Sequence, residues 1–263
     1  MSFSPTRSLA AAAGLAIATA SLAACAPSSS PHGLAVVATT TQICDYVTQI
    51  AAKSADISLD KTDAAGKSSH VGAQKDGAAL TMSLTCLLAP NASAHEHEMT
   101  PAQTTALAQA DVMAVSGVDL EHFLDDAVVS SGFKGRMVVT SGVLTAADID
   151  NPGTPDPEGA YTIDRGSERV DVAPWPFPPE EAGEEPEFRF DPHVWTSPKG
   201  TRIQVANLGA GLAAAAPDAA SSINAATASY LEDIDALDQW AAEAIATVPE
   251  GQRVLFTSHD AFG

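Results

Sequence analysis

The apolar positions of this chain change period several times, and each change marks an element. Leu34 to Ala38 is a continuous apolar run rich in Val, followed by Thr39-Thr40-Thr41 and an amphipathic stretch through Ile50. That order predicts strand, turn and helix, the opening of an α/β unit. Leu80 to Leu88 reads as another strand, Thr100-Pro101 supplies an N-cap and a first-turn proline for a helix through Ala110, and Val112 to Val115 is again a strand. A helix from Asp119 to about Val129 comes next, with Gly132 as its stop, and then a strand over Met137 to Thr140. Strands alternating with short helices predict a mostly parallel sheet covered on both faces, and in such sheets ligand sites lie at the carboxyl ends of the strands.

Two stretches break the alternation. Lys53 to Gly77 is polar with scattered Gly, Ser, Asp and Lys, which predicts an exposed insertion of unspecified shape. Asp148 to Asp191 holds thirteen acidic and three basic residues and is dense in proline, which predicts a long loop. Two readings compete for that loop: a solvated excursion, or a cation-gathering flap over a metal site. Acids without organised spacing bind metals weakly, which favours the first. Beyond it, Ser197-Pro198 opens a helix to about Ala216, Pro217-Asp218 breaks it, and a longer helix runs to about Thr247. Ile223, Ala226, Tyr230, Ile234, Leu237 and Ala241 form its apolar stripe. At 1.5 Å per residue this helix reaches about 45 Å, enough to bridge two lobes. Val254 to Thr257 predicts one more strand, with Ser258-His259 at its carboxyl end.

Composition changes the picture at the amino-terminal end first. Arg7, the apolar run Leu9 to Ala20 and the small residues leading to Cys25 read as an export signal, removed from fold reasoning. Leu22-Ala23-Ala24-Cys25 resembles a bacterial lipobox, whose cysteine is lipidated, and residues 25–33 then form a Pro/Ser tether to the membrane. No second apolar run is long enough to cross a bilayer. The formal charge of −20 argues against nucleic acid as a partner and suits an extracytoplasmic protein that attracts cations. Cys44 and Cys86 are the remaining cysteines, read either as a disulfide of an oxidising compartment or as two separate buried thiols.

The chemistry lies in the histidines. His95, in Ala94-His95-Glu96-His97-Glu98, falls between a predicted strand and the next helix; His193 lies in Asp191-Pro192-His193-Val194-Trp195; His259 comes after the last predicted strand. Imidazoles brought together from distant segments are how a rigid fold builds a transition-metal site. His97 competes with its neighbour His95, and Glu96, Glu98 and Asp260 are candidates to fix the imidazole tautomers. His32, His70 and His122 are expected in tether, insertion and helix surface, outside the site.

Several of these segments resemble the solute-binding subunits of bacterial zinc and manganese ABC importers. Val36-Val37-Ala38-Thr39-Thr40 is similar to that family's first strand, and His95 through Pro101 resembles the segment carrying its first ligand. Ala110-Asp111-Val112 and Gly117-Val118-Asp119-Leu120-Glu121 match the family's next segment, Asp191 to Trp195 is close to the second-ligand motif, and Arg253 to Gly263 is close to the third. Ala94 stands where the family has Pro, and the variable loop is acidic where zinc-specific members carry a His-rich tract. The resemblance implies two parallel-sheet lobes joined by a long helix, with residues 34–196 as the first lobe, 197–248 as helices including the connector, and 249–263 as the first strand of a second lobe mostly missing from this chain. It implies a divalent metal held by His95, His193 and His259, a fourth, carboxylate ligand beyond Gly263, and delivery to an ABC permease and ATPase. His259 at the third position, where manganese binders of the family tend to carry Glu, points to Zn2+ over Mn2+.

Rival readings from other classes are a secreted zinc-dependent hydrolase, suggested by His95-x-His97, and a surface adhesin lipoprotein. No His-Glu-x-x-His helix and no nucleophile paired with a base accompany the first. The expected protein is therefore a carrier without a catalytic residue.

Overall fold

The computed structural model describes residues 1, 33–153, 155–156, 159–179, 183, 186 and 188–257. Cys25, the lipid-anchor candidate, and His259 and Asp260 fall outside the described residues. Strand β1 (Leu34–Ala38) leads through Thr40, whose hydroxyl accepts from Ile43 N–H, into helix α1 (Thr41–Ala52). Strands β2 (Ile57–Thr62) and β3 (Ser68–Gly72) come next, then β4 (Leu80–Cys86). Helix α2 (Pro101–Ala108) opens on a capping box between Thr100 and Gln103 and leads to β5 (Val112–Val115). Helix α3 (Leu124–Ser131) stops at Gly132, whose φ of 65° is the left-handed cap that glycine adopts without steric cost. Strand β6 (Arg136–Val139), helix α4 (Ala146–Asp150) and β7 (Thr162–Asp164) complete the sheet. Helices α5 (Pro198–Ala215) and α6 (Ala220–Ala246) close the order, separated by a short turn at Pro217.

The seven strands lie in the order β3-β2-β4-β1-β5-β6-β7, parallel except for the β2–β3 pair. Because β1 is flanked by β4 on one side and β5 on the other, the chain reverses its direction of winding there. That switch point leaves a crevice at the carboxyl ends of β4, β1 and β5, where α/β sheets bind ligands. Alternation along the strands feeds two cores. Val36 and Ala38 face α1, α5 and α6, while Val37, Met113 and Val115 face α2 and α3 with Leu107 and Phe133. Gly211 lets α5 lie against Val138, where a β-carbon would come within 2.5 Å of its side chain.

Four sequence expectations are corrected. Residues 53–77 are not wholly exposed: Ile57, Ser58 and Leu59 are buried and β2 pairs in parallel with β4 along its whole length, so a short apolar alternation hid an interior strand inside a polar stretch. The acidic segment 148–191 is not wholly loop, since it supplies α4 and the edge strand β7 paired with β6. Helix α3 starts five residues later than Asp119, because Val118 and Asp119 have φ of 59° and 55°, outside the helical region. Val254 to Thr257 is no strand; no described strand pairs with it, and Val254, Leu255 and Phe256 are exposed. The apolar stripe of α6 is likewise buried only as far as Ile234, and Leu237 and Trp240 lie on the surface. Of the two readings of Cys44 and Cys86, the structure takes the disulfide, with Cα atoms 5.6 Å apart.

Candidate metal centre

His95 and His193 come together at the carboxyl end of the sheet. His95 lies on the segment after β4, and His193 on the segment entering α5. Their ring centroids are 5.7 Å apart with the planes at 78°. Two imidazoles sharing one zinc at about 2.0–2.1 Å and a tetrahedral angle have centroids about 5 Å apart, so the separation of this pair is close to that of two rings on one ion.

Each ring is oriented through its Nδ1. His95 Nδ1 lies 3.3 Å from the Leu120 carbonyl, and His193 Nδ1 lies 2.8 Å from Asp191 Oδ1. A carbonyl and a carboxylate only accept, so both Nδ1 atoms carry the proton and the lone pair sits on Nε2. This is the arrangement by which outer partners fix ligand tautomers at metal sites. Asp191 Oδ1 also accepts from the backbone N–H of His193 at 3.0 Å, so one carboxylate sets both ring and main chain. The partners expected from sequence were Glu96, Glu98 and Asp260. Glu96 and Glu98 are exposed, and Leu120 and Asp191 take their place. The Asp-x-His spacing was the available signal for Asp191; nothing in the sequence marks a leucine carbonyl.

Leu120 is held by a strained loop. The left-handed Val118, a β-branched residue, costs on the order of 1–3 kcal/mol. Its N–H donates to Val143 O at 2.8 Å, and Asp119 N–H to Leu144 O at 3.1 Å. Inside the loop Glu121 is 6% exposed and accepts from Ser116 N–H (2.6 Å), Gly117 N–H (3.0 Å) and Thr39 Oγ1 (2.6 Å). Burial pushes its carboxyl above the ordinary carboxylate range, opposed by those donors. Glu121 thereby ties the β5 loop to the end of β1 and fixes the carbonyl that orients His95.

His193 is positioned through α5. Gln204 Nε2 donates to Ser116 Oγ at 3.1 Å and to Thr140 Oγ1 at 3.2 Å, and Asn207 Nδ2 donates to Thr140 O at 2.9 Å. These buried amides satisfy polar groups at the strand ends and lock the register of α5 against the sheet.

The acidic segment returns over the pair. Phe188, 4% exposed, lies 4.9 Å from the His95 ring and 5.2 Å from Trp175, while Trp175 and Trp195 lie 6.1 and 5.3 Å from His193. Aromatics in a Pro-rich acidic run were the overlooked sign that it does not simply extend into water. His122 was expected on a helix surface; it precedes α3, exposed, with its ring 6.0 Å from His95. His97 points elsewhere. Its ring packs edge-on against Phe123 at 4.9 Å, and burial holds its pKa down. His70, expected on a polar loop, lies on β3 with its ring nitrogens against Asp60 and the Ala73 carbonyl.

A cleft of about 860 Å³ opens on the pair, lined by Thr41, Gln42, Asn91, His95, His193 and Trp195 among others. Phe256 and Thr257, which precede His259 by three and two residues, line the same cleft. Among the described residues no three His, Cys, Asp or Glu side chains converge as a metal site.

Residues 77–263 match the family described as "Zinc-uptake complex component A periplasmic". The chain belongs to that family. Among curated proteins, this zinc-uptake family member is 29% identical over 215 residues to the manganese-binding lipoprotein MntA of Bacillus subtilis, covering 82% of this chain and 59% of the relative. It is 27% identical over 175 residues to the iron-binding protein YfeA of Yersinia pestis, covering 66% and 45%. The chain thus spans about half the length of such relatives. Among solved structures it resembles the periplasmic zinc-binding protein TroA of Treponema pallidum, with a TM-score of 0.53, 21% identity and coverage of 88% of this chain and 62% of that one. Zinc-bound AdcA of Streptococcus pneumoniae gives a TM-score of 0.51 at 18% identity, covering 81% and 33%. At these identities the likeness establishes a shared α/β fold.

Proposed function

We propose that this chain is the extracytoplasmic metal-capturing component of an ABC importer, binding Zn2+ and handing it to a membrane permease. The observation that carries this reading is the convergence of His95 and His193 at a sheet switch point, each with Nδ1 tied to an acceptor, which puts the lone pair a metal would take on Nε2. His259 is the third ligand of the proposed site, consistent with Phe256 and Thr257 lining the same cleft. His97, packed on Phe123, takes no part. A zinc-dependent hydrolase is disfavoured, because the family matched over residues 77–263 is one of metal-uptake components. An adhesin reading leaves the histidine geometry without a purpose.

Manganese is the second reading, because the MntA relative from Bacillus subtilis is called manganese-binding. Imidazole suits zinc, whereas manganese is better served by carboxylate and water. Competition between Zn2+, Mn2+ and Co2+ for the protein, read by calorimetry or a chelator dye, is expected to rank zinc tightest by at least about a hundredfold over manganese. Equal or tighter manganese binding would overturn the zinc assignment.

Lipidation at Cys25 and anchorage to the cell membrane complete the proposal. Cys25→Ser is expected to release the protein from the membrane fraction, and unchanged retention in the pellet would remove the anchor.

A further inference from the structure

Resting on the proposed metal-carrier reading, we infer that Phe188 and Trp175 are positioning residues of the metal site, and that residues 173–175 and 188–191 form a fixed wall of that site instead of part of a solvated excursion. Residues 173–175 run antiparallel to 189–191. Trp175 N–H donates to Arg189 O and Asp191 N–H donates to Ala173 O, each at 2.9 Å, around a bridge between Pro174 and Phe190. This short ladder ends on Asp191, the carboxylate that sets the His193 tautomer. It also sets Trp175 edge-on against Phe188 at 5.2 Å and places Phe188 4.9 Å from His95 and 6.5 Å from His193.

The ladder is anchored at its outer edge as well. Arg189 forms a two-pronged pair with Asp150 of α4, at 2.6 and 3.2 Å, and lies over the Phe190 ring at 5.4 Å. Phe190 in turn packs on the cluster of Val118, Val143 and Val170, the same cluster that includes the strained residue next to Leu120's loop. Both imidazoles are therefore set from one body: His95 by a loop under Phe190's cluster and by Phe188, His193 by Asp191 and Trp175. Apolar rings on that side exclude water from the metal–imidazole bonds, so an ion leaves toward the open cleft only, and slowly.

The test is the rate of zinc release from the full chain, read by stopped-flow mixing of Zn2+-loaded protein with excess chelating dye. Trp175→Ala, at a half-buried position, and Phe188→Ala are each expected to speed release by about tenfold or more, as loss of outer partners does at metal sites. Phe188→Leu, which keeps apolar bulk, is expected to recover most of the wild-type rate. Unchanged release from folded Trp175→Ala and Phe188→Ala proteins would overturn the proposal while leaving the carrier reading intact. If the wild-type chain retains no zinc, the ligands it carries are insufficient by themselves to hold the ion, and the wall is tested separately. Positioning is then read without metal from the His193 Nδ1–H resonance: its broadening in Trp175→Ala supports the wall, and an unchanged sharp signal overturns it.

Discussion

His193→Ala is expected to lower zinc affinity by at least about a hundredfold, roughly 2.7 kcal/mol, with the far-UV circular dichroism unchanged. The imidazole is buried beside the His95 ring, and its Nδ1 is committed to Asp191, so the nitrogen that carries the lone pair is Nε2, the one a metal would take. Alanine removes that nitrogen and leaves Asp191 its backbone partner, the His193 N–H, so the entry to α5 keeps its turn. The buried amides of Gln204 and Asn207 hold α5 in place independently of the imidazole. His70→Ala is the matched control, since His70 sits on the edge strand β3 with Asp60 and is expected to leave affinity untouched. Zinc titration of both variants decides the matter, and an unchanged constant for His193→Ala removes it from the ligand set.

Replacing both Cys44 and Cys86 with serine is expected to cost about 4 kcal/mol of folding stability. The estimate rests on the chain entropy released when a cross-link across a separation of 42 residues is removed. For a domain of this size that corresponds to a fall of about 10 °C in the thermal midpoint. The bond joins the first turns of α1 to the last residue of β4, so it ties together two elements whose ends carry Thr41, Gln42 and the His95 segment. Urea unfolding of the double variant, compared with wild type with and without reductant, measures the effect. A midpoint unaffected by either treatment would mean that the cross-link contributes nothing. The expected dependence on oxidation accords with the proposed extracytoplasmic location.

Legibility differs between elements for physical reasons. Strands β1, β5 and β6 are buried on both faces, so they stand out as apolar runs, and Thr40, Thr100 and Gly132 mark helix ends through capping chemistry that is local in sequence. Strand β2 escapes sequence reading because only its first half is buried and its second half, Asp60 to Thr62, faces partly to water. Its place between β3 and β4 depends on a parallel ladder with residues that lie more than twenty positions away. The start of α3 is hidden because the left-handed pair Val118-Asp119 is held by bonds to Val143 and Leu144, which no local preference reveals.

The same division runs through the site. Short-range placement was enough to pick His95 and His193 as candidate ligands, since each lies on a connection beside a strand end or a helix start, whereas the two cysteines were a candidate pair only through their even number outside the cytoplasm. Local sequence also determined the α/β class, because alternation and caps act over a few residues. The packing of His97 against Phe123, the choice of Leu120 as partner of the His95 ring, and the folding of Trp175 and Phe188 onto the pair were decided by tertiary structure alone. Each depends on packing between segments apart in sequence: Phe123 takes the His97 ring, Glu121 ties the Leu120 loop to Thr39, and the pairing of 173–175 with 189–191 brings the aromatics back. Which imidazole is left beside the cleft is thus set by what competes for its neighbours, and that competition exists only once the sheet has closed its switch point around β1.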